Sequence, residues 1–400
     1  MKPPLRKRIA WSVLLAGLGV VLGGYGLLRY QVGTRNIDFA LNHASARLFP
    51  QTWLWEGHRY FYDRLDPEGA ADAYRQAVAR HNVYIEAWFS LAKAEIALGH
   101  REAASKMLQV LSSSLAEVST WKWQECLVAF DLKEDQTLES AFNFILERMP
   151  RKVRDACFLA RQYWGSWAAV AHHVRPANEP VLLQELIAGR ELDAARELWD
   201  RMDRSGRPPE RALTFRLCHA LLHNQQIPDA KAVWNRETGI RRPRVHNGSF
   251  EEEPLNLAFG WRLAKHPDVA VERTPTESFD GRFSIHVRFL GTANVHFHHV
   301  TQILPVDPGA AYRLRFARKS RGLTTDQGVS VEVFGYACKG LYRSSDPVLG
   351  TQPWTVESLE FQVPEGCEAV AVRLRRRESL KFDSKILGDY WLDSVSLEPT

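Results

Sequence analysis

The stretch best equipped for chemistry is Asn294-Val-His296-Phe-His298-His299-Val-Thr-Gln302. In an extended strand, side chains two apart share a face. His296, His298 and Gln302 would then point one way, with Val295 and Phe297 pointing the other. Imidazoles and an amide can stack on and hydrogen-bond a sugar, and a His-x-His pair could also ligate a metal. A merely polar, solvent-facing strand is the plainer alternative. Tyr336, Tyr342 and Trp354 are the aromatic residues suited to stacking on a sugar ring, although Trp354 is equally suited to plugging a sandwich edge.

Other chemistry is hard to place. The chain has no nucleophile elbow, P-loop, GxGxxG or HExxH. A glycosidase needs two carboxylates ~5–10 Å apart, and Glu251-Glu252-Glu253 is a loop run whose adjacent side chains cannot all converge. No enzyme is expected. His81, His100, His172-His173 and His219 lie in helical segments with no i, i+4 histidine pair that holds a carboxylate between, so they read as surface or core histidines. The five cysteines are odd in number, far apart and without a CxxC, which excludes an encoded zinc site or disulfide framework. A single Cys338–Cys367 bridge would need neighbouring strands, and buried free thiols are the alternative. The net charge of +5 is small for 400 residues. Its basic clusters, Arg241-Arg242-Pro243-Arg244 and Arg373-Leu374-Arg375-Arg376-Arg377, are too local for the broad face of a nucleic-acid binder.

The elements that must position these residues follow from periodicity. After Gly239-Ile-Arg-Arg-Pro-Arg, the pattern alternates with a period of two in Arg282–Phe289, Ala311–Arg318, Val329–Tyr336, Ser358–Val363 and Ala369–Arg375. Short strands over ~155 residues without intervening helix patterns predict an antiparallel β-sandwich, most simply a jelly roll. Three landmarks recur in order: Asn247-Gly-Ser-Phe250-Glu251, Val306-Asp-Pro308-Gly309-Ala-Ala-Tyr312, and Trp391-Leu-Asp393-Ser-Val-Ser-Leu397. The segment resembles the jelly-roll carbohydrate-binding modules of families four, nine and twenty-two. Phe250, Tyr312, Trp391 and Leu397 then read as core positions. The resemblance also implies a structural calcium held by Glu251 and Asp393, with no other cofactor required; calcium wants several oxygens, and a carboxylate from each end would tie the sandwich shut. The alternative makes Glu251 exposed and Asp393 a strand-turn cap.

Before residue 238 the pattern is helical. Ala70 and Ala104, Tyr74 and Leu108, and Ala77 and Leu111 are each 34 apart, and Gly189/Asn224, Ala195/Ala230 and Trp199/Trp234 are each 35 apart. This resembles tetratricopeptide repeats, helix pairs of ~34 residues in which small residues allow close approach. About five pairs are expected, irregular across 151–180, with Gly189 and Asn224 taking left-handed conformations at helix ends.

The uncharged run Ile9–Leu28 follows Lys2, Arg6, Lys7 and Arg8. About twenty apolar residues suffice to span a bilayer, and the charge bias predicts an N-terminus in the cytoplasm; a cleaved signal peptide is the alternative. The expected order is therefore a tail (1–8), a transmembrane anchor (9–28), a repeat domain (36–237), a linker (238–245) and a sandwich (246–400). That reads as a single-pass inner-membrane protein with an extracytoplasmic body. Its solenoid would dock a protein partner and its sandwich would contact polysaccharide, without nucleic acid. The competing function is a purely structural subunit of a membrane complex that binds no sugar; a third reading makes the sandwich the recognition arm of a partner enzyme.

Overall fold

The computed structural model describes residues 18–31, 42–240, 242–382 and 384–400. It corrects the membrane assignment: among the described residues no helix is long and apolar enough to cross a membrane. Of the expected anchor, residues 18–28 are described, and they lie in a helix described over 18–31. Residues 9–17 of the expected span and the 1–8 tail lie outside the described residues. An inner-membrane location with an extracytoplasmic body is therefore not retained.

Two compact units make up the chain, Met1–Leu182 and Leu183–Thr400. In the first, the helices Pro67–Arg80, Ile85–Ala97, Arg101–Ser114, Ser119–Leu132, Asp135–Arg148 and Val153–Trp164 follow one another through short turns. Asp66 caps the first, accepting from Gly69 N at 3.0 Å with Pro67 in the first turn. The residues at 34-residue spacing do what close packing requires: Ala70, Ala77 and Ala104 have no exposed surface, and Tyr74, Leu108 and Leu111 are buried. The irregular stretch holds two 3-10 turns, Pro150–Lys152 and Pro176–Asn178, and the short helix Trp167–His172.

One detail differs from expectation. Gly99 is left-handed (φ 82°), but at the later helix ends the left-handed residue is Arg190 (φ 60°) and Gln225 (φ 61°), one position past Gly189 and Asn224, as it is at Lys133 (φ 60°). The next residue's N–H then reaches five residues back: His100 to Glu95 O, Glu134 to Ala129 O, Glu191 to Leu186 O and Gln226 to Leu221 O, at 2.8–3.0 Å. This is the Schellman closure, and it recurs 34 residues apart at Gly99 and Lys133 and 35 apart at Arg190 and Gln225.

The second unit contains the helices Leu192–Arg204, Arg211–His223 and Ile227–Thr238 together with the sandwich. The last helices of the expected repeat segment thus belong with the β-domain. Among the described residues, ten strands form two five-stranded antiparallel sheets, ordered β1-β4-β9-β6-β7 and β2-β3-β10-β5-β8. The first comprises β1 (Arg262–Leu263), β4 (Val300–Pro305), β9 (Ala369–Arg375), β6 (Ser330–Gly335) and β7 (Tyr342–Ser344). The second comprises β2 (Val269–Thr274), β3 (Ser284–Leu290), β10 (Leu387–Pro399), β5 (Ala311–Leu323) and β8 (Gly350–Gln362). Between them lies one apolar core that includes Phe250, Phe289, Phe297, Tyr312, Phe316, Val331, Val372, Tyr390 and Leu397. Phe250, Tyr312 and Leu397 are core residues as expected.

Trp391 is not. β10 has a register shift between Asp393 and Ser396, with Ser394 at φ 51°. A β-bulge of this kind flips the faces of every residue beyond it. Tyr390 and Leu392 therefore share the core side with Val395 and Leu397. Trp391 is buried on the opposite side, its ring stacked on His286 at 4.7 Å with the Arg321 guanidinium 5.2 Å from its centre.

Candidate functional site

The outer face of the β1-β4-β9-β6-β7 sheet is the candidate site. On β9, Val370, Val372 and Leu374 enter the core, so alternation sends Ala369, Ala371, Arg373 and Arg375 outward. Register extends these into rows: Arg262, Thr301, Arg373, Glu332 and Ser344 stand side by side, as do Ile303, Ala371, Phe334 and Tyr342.

The helices of the same unit cover one end of this face. Tyr336 donates its hydroxyl to Leu222 O (3.2 Å), Arg262 Nη2 lies 3.3 Å from His219 Nδ1, and Lys231 pairs with Asp307 at 2.8 Å. His219 Nδ1 also accepts from Ala258 N at 3.2 Å, and Trp234 packs against His246 and Phe259. Ile303, Ala369 and Ala371, outward by alternation, are nonetheless buried. Burial first, then the charges of Arg262 and His223, push His219 down to about 4.

The other end is open and polar. Glu332, 1 % exposed, accepts from the Tyr342 hydroxyl (2.6 Å) and from Arg373 Nε (2.8 Å), with Arg377 Nη2 at 3.5 Å. Arg377 also donates to the Tyr342 hydroxyl at 2.7 Å. Burial alone would raise the Glu332 carboxyl, but the hydrogen bonds from Tyr342 and Arg373 hold it below its usual range. Arg373 lies over the Phe334 ring at 4.4 Å, and Tyr342 is 44 % exposed at the sheet edge. Arg375 donates to His296 Nε2, while its own Nε is buried with no partner among the described residues.

The expected site residues separate. His296 and His298 are exposed beside this open end, their rings 5.4 Å apart, with Val295 and Phe297 in the core. Gln302 is on the other side. The alternation slips by one residue at His298-His299, so Val300 rather than His299 takes the next core position and β4 begins there. Gln302 is thereby turned inward, where it donates to His246 O (3.1 Å) and Phe259 O (2.8 Å). Tyr336 lies under the helices. Trp354 belongs to β8, the edge strand of the other sheet, where it meets Phe279 at 5.8 Å. Arg373, Arg375, Arg377 and Glu332 were not read from the sequence as site residues. The Arg-x-Arg alternation of β9 was the available signal, and it reads equally as a strand end.

Glu251 and Asp393 do clasp the sandwich, through amides. Glu251 Oε1 accepts from Arg282 N (2.8 Å) and Phe283 N (3.0 Å). Asp393 Oδ2 accepts from Phe279 N (2.7 Å) and Asp280 N (3.1 Å), and Oδ1 from Ser394 N (2.6 Å). Both carboxylates thus hold the 279–283 turn, from which Gly281 (φ 67°) comes so close that a Cβ would stand 2.5 Å from Glu251 Oε1. Calcium requires converging oxygens. These carboxylates instead meet N–H donors, and as arranged they do not fit that ion.

Cys338 and Cys367 are disulfide-bonded, their Cα atoms 5.5 Å apart, while Cys126, Cys157 and Cys218 are buried free thiols. Among the described residues, Asp135, Glu139 and His173 form the group of metal-ligand type. Each has a protein partner: Trp164 Nε1 donates to Asp135 (2.9 Å), and His173 Nδ1 lies 2.7 Å from Glu139 with its ring stacked on Trp164.

No family model matches the chain, and no curated protein is found similar to it. Among solved structures, it is similar to a family 16 carbohydrate-binding module, at 17 % identity over 38 % of this chain and 98 % of that one, with a TM-score of 0.29. It is also similar to the CBM22-1 xylan-binding domain of Paenibacillus barcinonensis Xyn10C, at 15 % identity over 38 % of this chain and 91 % of that one, with a TM-score of 0.27. A Stig cyclase, Fisc from Fischerella sp. TAU, matches at 15 % identity over 40 % of this chain and 98 % of its own, with a TM-score of 0.27. At these values the likenesses assign neither a family nor a ligand.

Proposed function

We propose that this is a non-catalytic binding protein whose open sheet face contacts a polysaccharide while its helical repeats take up a protein partner. One observation carries the first half: an exposed aromatic ring, Tyr342, stands beside polar groups fixed by a buried carboxylate, Glu332. A sugar offers an apolar ring face rimmed by hydroxyls, and such a site matches it with an apolar plane rimmed by oriented donors and acceptors. Stacked helix pairs present grooves to proteins. One groove of about 470 Å³ in the first unit is lined by Gln109, Ser112, Lys122, Glu125, Ser140 and Phe144 among others. Such a layout suits a scaffold in glycan assembly.

A second reading, in which both units bind proteins, draws on Leu380 and Phe382. These side chains are wholly exposed in the connection from β9 to β10.

Binding of the full chain to a glycan array tests the proposal. A specific glycan should be retained, and Tyr342→Ala should weaken it about tenfold, as expected for a lost stacking contact. Chelator should not change the result. A folded protein that is silent on every glycan would overturn the sugar reading and favour the protein-only one.

A further inference from the structure

Resting on that reading, we infer that the ligand of the open face is an acidic polysaccharide, bound through Arg375 and Arg377 with Tyr342 stacked on a sugar ring. The charge count on the open end leads there. Arg373, Arg375 and Arg377 stand around a single carboxylate, Glu332. Arg373 spends its charge on that carboxylate at 2.7 Å and on the face of Phe334. Arg377 reaches it only at 3.5 Å and is 61 % exposed. Arg375 makes no ion pair among the described residues and feels Glu332 only at a distance; its side chain donates to His296, a second nitrogen base.

Three guanidiniums thus share one carboxylate, which leaves this end of the face with an excess of positive charge. A guanidinium set against an imidazole is an arrangement that a carboxylate relieves, because it can accept from both. The neighbouring groups register the same field. His298 is lowered by burial and then by His296, Arg373 and Arg375, and Arg375 by burial and then by Arg373. Neutral glycans would leave these donors and charges uncompensated. Repeating acidic groups along a polysaccharide would meet them, while Tyr342 supplies a plane that simple anions do not need.

The experiment measures binding of the full chain to polygalacturonate, to its methyl ester, and to poly(U), each at low and high salt. Polygalacturonate should bind and weaken with salt, and the ester and poly(U) should bind at least tenfold more weakly. The double variant R375Q/R377Q should lose roughly tenfold or more for polygalacturonate, the loss expected when charged hydrogen bonds are removed. Its unchanged thermal midpoint would show that the face, rather than the fold, was altered. Equal binding of the ester and the acid, or binding only to neutral glycans on the array, would overturn the acidic assignment while leaving the sugar reading intact. Equal affinity for poly(U) would overturn it in favour of a general polyanion surface. Silence towards every glycan would remove both.

Discussion

At the scale of single residues, the informative side chains are those whose partners differ from what their type suggests. Asp393 and Glu251 are acids in the right place for a cation, yet one oxygen of each accepts two amide hydrogens from the 279–283 turn. That makes them local fasteners. Removing Asp393, whose side is the buried one, strands partly buried amide donors at about 1–3 kcal/mol for each group left unsatisfied. Asp393→Ala should therefore lower stability by about 3 kcal/mol in denaturant titrations. Asp393→Asn, which keeps a carbonyl oxygen for Phe279 and Asp280, should lose markedly less, and calcium should not raise the wild-type midpoint. A calcium-dependent rise would mean that the turn rearranges to expose oxygens. Gln302 teaches the complementary lesson. An amide expected to meet a ligand instead satisfies the carbonyls of His246 and Phe259.

At the scale of elements, the contact of the Arg211–His223 helix with the sandwich depends on a neutral imidazole. His219 Nδ1 can accept from Ala258 N only when it carries no proton, and Arg262 stands beside it. Its folded-state value of about 4 lies below the ~6.5 of an exposed histidine. Above pH ~6.5 the group is neutral in both states and costs nothing. As pH falls towards 4 the unfolded chain takes up a proton that the folded one refuses, so stability drops across that window and levels off below it. His223 and His246, both lowered chiefly by burial, add in the same direction. Urea midpoints should therefore fall between pH 7 and pH 4, and His219→Gln should flatten the slope. An unchanged slope in that variant would assign the acid sensitivity elsewhere.

At the scale of the whole molecule, the division at Leu182/Leu183 groups the last helices with the β-domain. A fragment starting near Pro176 should unfold cooperatively. One starting near Val245 should melt lower, because it uncovers Phe259 and removes the partners of Asp307 and Tyr336. Equal melting temperatures would mean that the helices contribute nothing to the sandwich. The sequence by itself determined the succession of helices followed by strands, the buried positions 34 apart, and the outward placement of His296 and His298. Each follows from a periodicity that hydrophobic burial imposes within a few residues of chain. Only the tertiary structure decided which way Gln302 and Trp391 face, because a one-residue slip reverses a strand's sides without altering its composition. It alone gathered Arg373, Arg375, Arg377, Glu332 and Tyr342 onto one surface, since sheet order joins strands that are distant in sequence. The helices then cover the other end of that sheet through contacts between residues some forty to over a hundred positions apart.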